Sequence, residues 1–164
     1  MYYPHSYTLL ISLLRSRPQA HCRLRGGFQN PKIQGEVLFY QTQYGVFVVA
    51  DVMGLPSSEE NCKENIFAFH IHNGNECAPG GASPFVTAGS HYNPDGCSHP
   101  NHKGDLPPLF GAGERAFFAC LTDRFRCEEI IGRTLIIHEG KDDFTTDPSG
   151  SAGSRIACGV IVGN

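Results

Sequence analysis

Asn65-Ile66-Phe67-Ala68-Phe69-His70-Ile71-His72 reads as a β-strand that ends in two metal ligands. Aromatic and β-branched residues suit a pleated, half-buried surface. Alternation puts Phe67, Phe69 and Ile71 on one face and Ala68, His70 and His72 on the other, with the imidazoles about 6 to 7 Å apart at their roots. One ion can take a nitrogen from each. The apolar face is expected in the core, and the ion on the outer surface of the sheet. Taken alone, His-x-His is more often two exposed histidines on a half-buried strand, so the weight falls on the other ligands.

Those ligands lie downstream. Six of the eight histidines, His70, His72, His91, His99, His102 and His138, fall in one continuous stretch that also holds Asp105. Ser90 to Asp105 is dense in Gly, Pro, Asn, Asp and Ser, which predicts a loop. His99, His102 and Asp105 follow one another at steps of three. With His91 they make three imidazoles and a carboxylate, a closed set suited to four-coordinate structural zinc. Gly132-Arg133-Thr134-Leu135-Ile136-Ile137-His138 predicts another strand ending in a ligand. His138 with His70, His72 and His91 offers four nitrogens, the coordination that Cu(II) prefers. His91 is then the candidate shared ligand, binding one metal through each ring nitrogen after losing both N–H protons beside two dications.

Composition predicts the scaffold for these ligands. A chain of 164 residues is sized for one domain, and 19 Gly with 11 Pro predict many reversals and long loops. Strands are expected at 34–40, 46–52, 67–72, 116–121, 134–138 and 156–162. Beyond the first twenty residues no stretch has a helical period. The expected fold is all-β, an antiparallel Greek-key sandwich or flattened barrel with long metal-binding loops. Residues 1–20 are expected to be a short helical, amphipathic extension, and residues 21–164 the domain proper. The apolar run 8–14 is too short to span a membrane, and its arginines follow rather than precede it, unlike a secretory signal. Cytoplasmic location is expected on that ground, with export as the alternative. The acidic balance, a net charge of -3, and the absence of a basic patch argue against nucleic acid.

At this point the sequence resembles the copper/zinc superoxide dismutases over about its last 140 residues. The likeness rests on Phe69-His70-Ile71-His72, Gly89-Ser90-His91-Tyr92-Asn93-Pro94, His102-Lys103-Gly104-Asp105-Leu106-Pro107, Gly132-Arg133 through His138-Glu139, and Gly153-Ser154-Arg155-Ile156-Ala157-Cys158-Gly159. It implies copper at His70, His72, His91 and His138, and zinc at His91, His99, His102 and Asp105. It also implies that superoxide is converted to dioxygen and hydrogen peroxide by copper redox cycling, with His91 carrying a proton. Arg155 then holds the anionic substrate, as a fixed guanidinium suits, and Asp142 receives hydrogen bonds from a copper and a zinc histidine.

Cys158 matches one half of the family's intrachain disulfide. Cys77, five residues after His72, is its expected partner, at a spacing closer to the bacterial branch than to the animal one. Seven cysteines leave at least one unpaired. The short, lysine-poor segment between His138 and Arg155 implies reduced guidance of the substrate. Local focusing falls to copper and Arg155, with Lys103 and Lys141 more simply read as solubilising charges. A homodimer is among the assemblies the resemblance allows. The rival reading is a copper and zinc storage or sensor protein without useful turnover, to which Arg155 and Asp142 would be superfluous. A zinc hydrolase is remote, since the zinc set is closed and no His-Glu-x-x-His helix supplies a base.

Overall fold

The computed structural model describes residues 11, 13, 15–57, 65–78 and 83–164. Eight antiparallel strands form a closed barrel: β1 (Ala20–Gly26), β2 (Gln34–Thr42), β3 (Gly45–Met53), β4 (Ile66–His72), β5 (Asp105–Ala112), β6 (Arg115–Thr122), β7 (Thr134–His138) and β8 (Arg155–Gly163). Around the barrel the order is β1-β2-β3-β6-β5-β4-β7-β8. The connections β3 to β4 and β6 to β7 each pass over two strands, which is Greek-key topology. The helix α1 (Cys127–Ile130) is a single turn. The helical extension expected over residues 1–20 falls largely outside the described residues, and β1 already begins at Ala20.

Period-two alternation fills the barrel. On β4, Phe67, Phe69 and Ile71 enter the core, where they meet Leu135 and Ile137 of β7 and Phe118 of β6. Each such side chain contributes about 1.5–3 kcal/mol by leaving water. Six strands arise where the sequence predicts them, and two come from stretches without a strand signal. β1, Ala20-His21-Cys22-Arg23-Leu24-Arg25-Gly26, alternates buried Ala20, Cys22 and Leu24 with outward polar residues, but lacks the β-branched and aromatic residues that mark a strand.

β5 carries Pro107-Pro108, which argues against a central strand. The structure accommodates the pair at a bulge: Leu106 pairs with Phe69 and Leu109 with Phe67, so both prolines oppose the single residue Ala68. The ladder from β5 to β6 runs only through Gly111 and Ala112, so no proline N–H is missed there.

Two long connections lie against the outer wall of β4 and β7. Residues 73–104 join β4 to β5, and residues 139–154 join β7 to β8. Within the first, Val86–Ala88 forms one 3-10 turn, and Phe85 and Ala88 pack with Ile136 and Cys158 outside the main core.

Candidate metal centre

The outward face of β4 presents His70 and His72, and neighbouring β7 brings His138 beside them at the register shift after Ile137. This face is not the solvent surface that its position outside the barrel suggests. The two long connections fold over it and leave His70 and His72 at 0% and 1% exposure. His91 reaches the same place from the first connection, through an isolated bridge to His72. His99, His102 and Asp105 follow on the loop and at the start of β5, all buried. One donor atom from each of His70, His72, His91 and His138 lies within 4.8 Å of the others, and the same holds for His91, His99, His102 and Asp105. His91 belongs to both sets.

The hydrogen bonds decide which nitrogen each ring offers. His70 donates from Nε2 to Asp142 Oδ2 at 2.7 Å, and His99 from Nε2 to Asp142 Oδ1 at 2.8 Å. Their Nδ1 atoms face inward, and neither has a hydrogen-bond partner. His72 and His138 donate from Nδ1 to the carbonyls of Gly89 (2.9 Å) and Gly153 (3.2 Å), leaving both Nε2 atoms 3.3 Å apart as lone-pair donors. Two acceptors so close have no attraction of their own, and a bound cation would supply it. Buried ring nitrogens without partners are rare in folded proteins, so the unpartnered Nδ1 of His70 and His99 and Nε2 of His91 mark where ions fit.

In the second set, His91 Nδ1 lies 2.8 Å from Asp105 Oδ1. Asp105 Oδ2 lies 3.1 and 3.2 Å from Nδ1 of His99 and His102. A tetrahedral zinc with bonds of about 2.0–2.1 Å needs donor separations of about 3.3 Å. The residues present therefore fit copper at the first set and zinc at the second.

Electrostatics keep the donors ready. Burial, reinforced by His91 and His138, holds the His72 ring well below the usual histidine range; burial takes His138 down to about 3 and lowers His91 despite its bond to Asp105. These imidazoles are neutral near neutral pH, as metal ligands must be. Asp142 resists burial, which would raise its carboxyl, because hydrogen bonds from His70, His99 and the Phe144 N–H hold it at about 2. It remains an anion that fixes one ring of each set.

Beside the first set lies an open cleft of about 430 Å³ lined by His72, His91, His138, Gly89 and Arg155. Arg155 donates to the carbonyls of Phe85 (2.6 Å) and Gly89 (2.5 Å), so its guanidinium is held at this cleft. Gly89 O thus orients both a copper-set ring and the cation. The loop bearing it is tied to β8 by the Cys77–Cys158 disulfide. Cys22, Cys97, Cys120 and Cys127 are free among the described residues. Lys103 pairs with Glu129 at 2.6 Å.

The profile of the copper/zinc superoxide dismutases (SODC) matches residues 33–161. The chain belongs to that family. It is 34% identical over 145 residues to copper-zinc superoxide dismutase 2 of Aquifex aeolicus, covering 79% of this chain and 80% of the relative. It is 36% identical over 160 residues to the copper-zinc superoxide dismutase of Schizosaccharomyces pombe, covering 84% and 93%. The solved copper/zinc superoxide dismutase of Brucella abortus superposes with a TM-score of 0.72 at 26% identity, covering 86% of this chain and 98% of that one.

The structure brings His70, His72, His91 and His138 together, and His91, His99, His102 and Asp105 beside them; Asp142 bonds one ring of each set, Arg155 lines the cleft, and Cys77 is bonded to Cys158. Sequence reasoning missed the carbonyls of Gly89, Gly153 and Phe85. Any residue carries a carbonyl, so side-chain chemistry gives no sign of these acceptors. The available signal was the glycines themselves: Gly89 and Gly153 have φ of 70° and 77°, which only glycine adopts freely.

Proposed function

We propose that the protein disproportionates superoxide, two superoxide ions and two protons giving one dioxygen and one hydrogen peroxide. The observation that carries this reading is the union of two buried donor sets on one ring, His91, with Arg155 held at the mouth of the same cleft. Copper bound by His70, His72, His91 and His138 would supply the one-electron couple, and zinc bound by His91, His99, His102 and Asp105 a fixed charge without redox chemistry.

The chain's own residues do the rest. Arg155 attracts the anion and offers it guanidinium donors, and its two carbonyl contacts keep that charge in one place. His91 Nε2, buried and without a hydrogen-bond partner, would hold a proton for the peroxide product only while that nitrogen is not bound to copper. Asp142 and the carbonyls of Gly89 and Gly153 fix the other rings so that only the inward nitrogens are basic. A storage or sensor protein needs tight donors but neither an open cleft nor Arg155, and both favour turnover.

Pulse radiolysis of protein loaded with both metals tests this. Fast superoxide decay that falls when Arg155 is replaced by alanine is expected; tightly held metal with no decay would show storage instead. A homodimer belongs to the same reading. Phe110, Phe117 and Leu121 stand exposed on the outer faces of β5 and β6, an apolar surface suited to a protein partner. Sedimentation of the parental protein and of Phe117→Asp checks it, with a dimer expected for the first and a monomer for the second.

A further inference from the structure

We infer that Arg124, which lies outside both donor sets, is a positioning residue that holds residues 99–102 in their zinc-binding shape. It follows β6, where its own N–H rests on Thr122 Oγ1 at 3.3 Å. Its Nη1 lies 2.6 Å from the Pro100 carbonyl and 3.0 Å from the His102 carbonyl. Two acceptors from one short stretch of loop therefore converge on a single cationic nitrogen. Among the described residues no carboxylate lies within ion-pairing distance of Arg124, so the loop carbonyls are the partners of its charge.

The same stretch is gripped from the opposite side. Asp147, on the connection between β7 and β8, accepts the N–H of His99 at 2.7 Å. The N–H of His102 goes to Asp105 Oδ2 at 3.0 Å. The backbone at His99, Pro100 and His102 is thus fixed by three side chains, two of them distant in sequence. The arrangement matters because this segment has no strand or helix to hold its peptide groups. Residues left free would have to be ordered when the metal binds, and that loss of entropy would weaken metal binding. A charge-assisted hydrogen bond is about twice as strong as a neutral one, which suits a guanidinium to ordering the loop in advance. His70, His72 and His138 stand on strands and need no such help.

This inference rests on the reading that His91, His99, His102 and Asp105 bind zinc, and the test separates the two. Zinc dissociation constants are measured by competition with a chromophoric chelator for the full-length parental protein, Arg124→Ala, Arg124→Lys, Asp147→Ala and His99→Ala. Melting temperatures of the metal-free forms and Co(II) absorption at the zinc set are recorded beside them. Arg124→Ala is expected to weaken zinc by about ten- to a hundredfold and to weaken and broaden the Co(II) bands, without lowering the metal-free melting temperature. Arg124→Lys recovers part of the loss, and Asp147→Ala shows a similar defect from the other side. A zinc constant for Arg124→Ala within about a factor of two of the parental one overturns the inference. A drop in metal-free stability large enough to account for the lost affinity also overturns it. If the parental protein binds no zinc, or His99→Ala binds it equally well, the assignment of the site fails and this inference with it.

Discussion

His70, His72 and His138 stand on β4 and β7, whereas His91, His99 and His102 stand on an irregular loop, and the two regions place their donors by different means. On the strands, register and pleat set the roots, and carbonyls from the covering loops turn the rings. On the loop only His91 has a backbone tie to the sheet, its bridge to His72; at His99 and His102 side chains hold both the rings and the backbone. Asp142 joins the two regions, with one carboxylate oxygen on a ring from each. A sheet supplies position cheaply; a loop supplies the closed, four-sided geometry that two neighbouring strands cannot.

The sharpest way to break this contrast is to remove a strand ligand. His138→Ala should reduce superoxide decay in metal-loaded protein by more than about a hundredfold, while zinc content and the barrel's circular dichroism persist. Retention of parental decay would mean that the strand set is not the redox site. Next in size is the link between the regions. Gly150, at φ 65°, passes so close to Asp142 that an added Cβ would overlap its Oδ1 and come within 2.7 Å of His99 Nε2. Gly150→Ala should weaken both metals together, by about ten- to a hundredfold, as read by chelator competition; loss of one metal alone would show that Asp142 does not couple the sets.

Much of the centre was legible in the sequence because its chemistry resides in side chains with distinctive spacing. His-x-His on a strand of alternating residues, and ligands at steps of three in a turn-rich loop, point to metal without any coordinates. The barrel was less fully written. β1 hides behind His21, Arg23 and Arg25, and β5 behind Pro107-Pro108, because a bulge opposite Ala68 admits prolines that a regular ladder would reject. Burial of the histidine face was illegible for a different reason. It depends on connections 73–104 and 139–154 folding back over the wall, and such long-range packing leaves no local period.

Smaller effects sharpen the contrast further. The Cys77–Cys158 disulfide closes a loop with a sequence separation of 81 residues. Cys77→Ser should cost on the order of 4 kcal/mol by the loop-entropy relation in denaturant unfolding without reductant. It should also lower turnover more than copper content, since the loop that holds Arg155 is freed. Equal losses in both would instead place the damage at the ligands.

In metal-free protein the copper set should also report acid. His72, His91 and His138 are held below the histidine value of 6.5, and His138 at about 3. The unfolded chain therefore binds protons that the folded one refuses. Stability from these rings is complete above about pH 6.5 and falls as the pH drops toward 3. Denaturant titrations of the metal-free protein should show this slope, and replacing His138 with Gln should flatten it. Least affected is the barrel's far side. There Arg115 and Asp51 pair in the open at 2.6 Å, and Arg115→Ala should change stability by less than about 1 kcal/mol and leave both metals in place.

The central claim, that one imidazole serves both sets, is tested most directly by anomalous diffraction at the copper and zinc edges from crystals of the doubly loaded protein. Two separate peaks are predicted on opposite sides of the His91 ring, copper within bonding distance of Nε2 and zinc of Nδ1. A single peak, or two metals that leave either nitrogen of His91 unbound, would contradict the account.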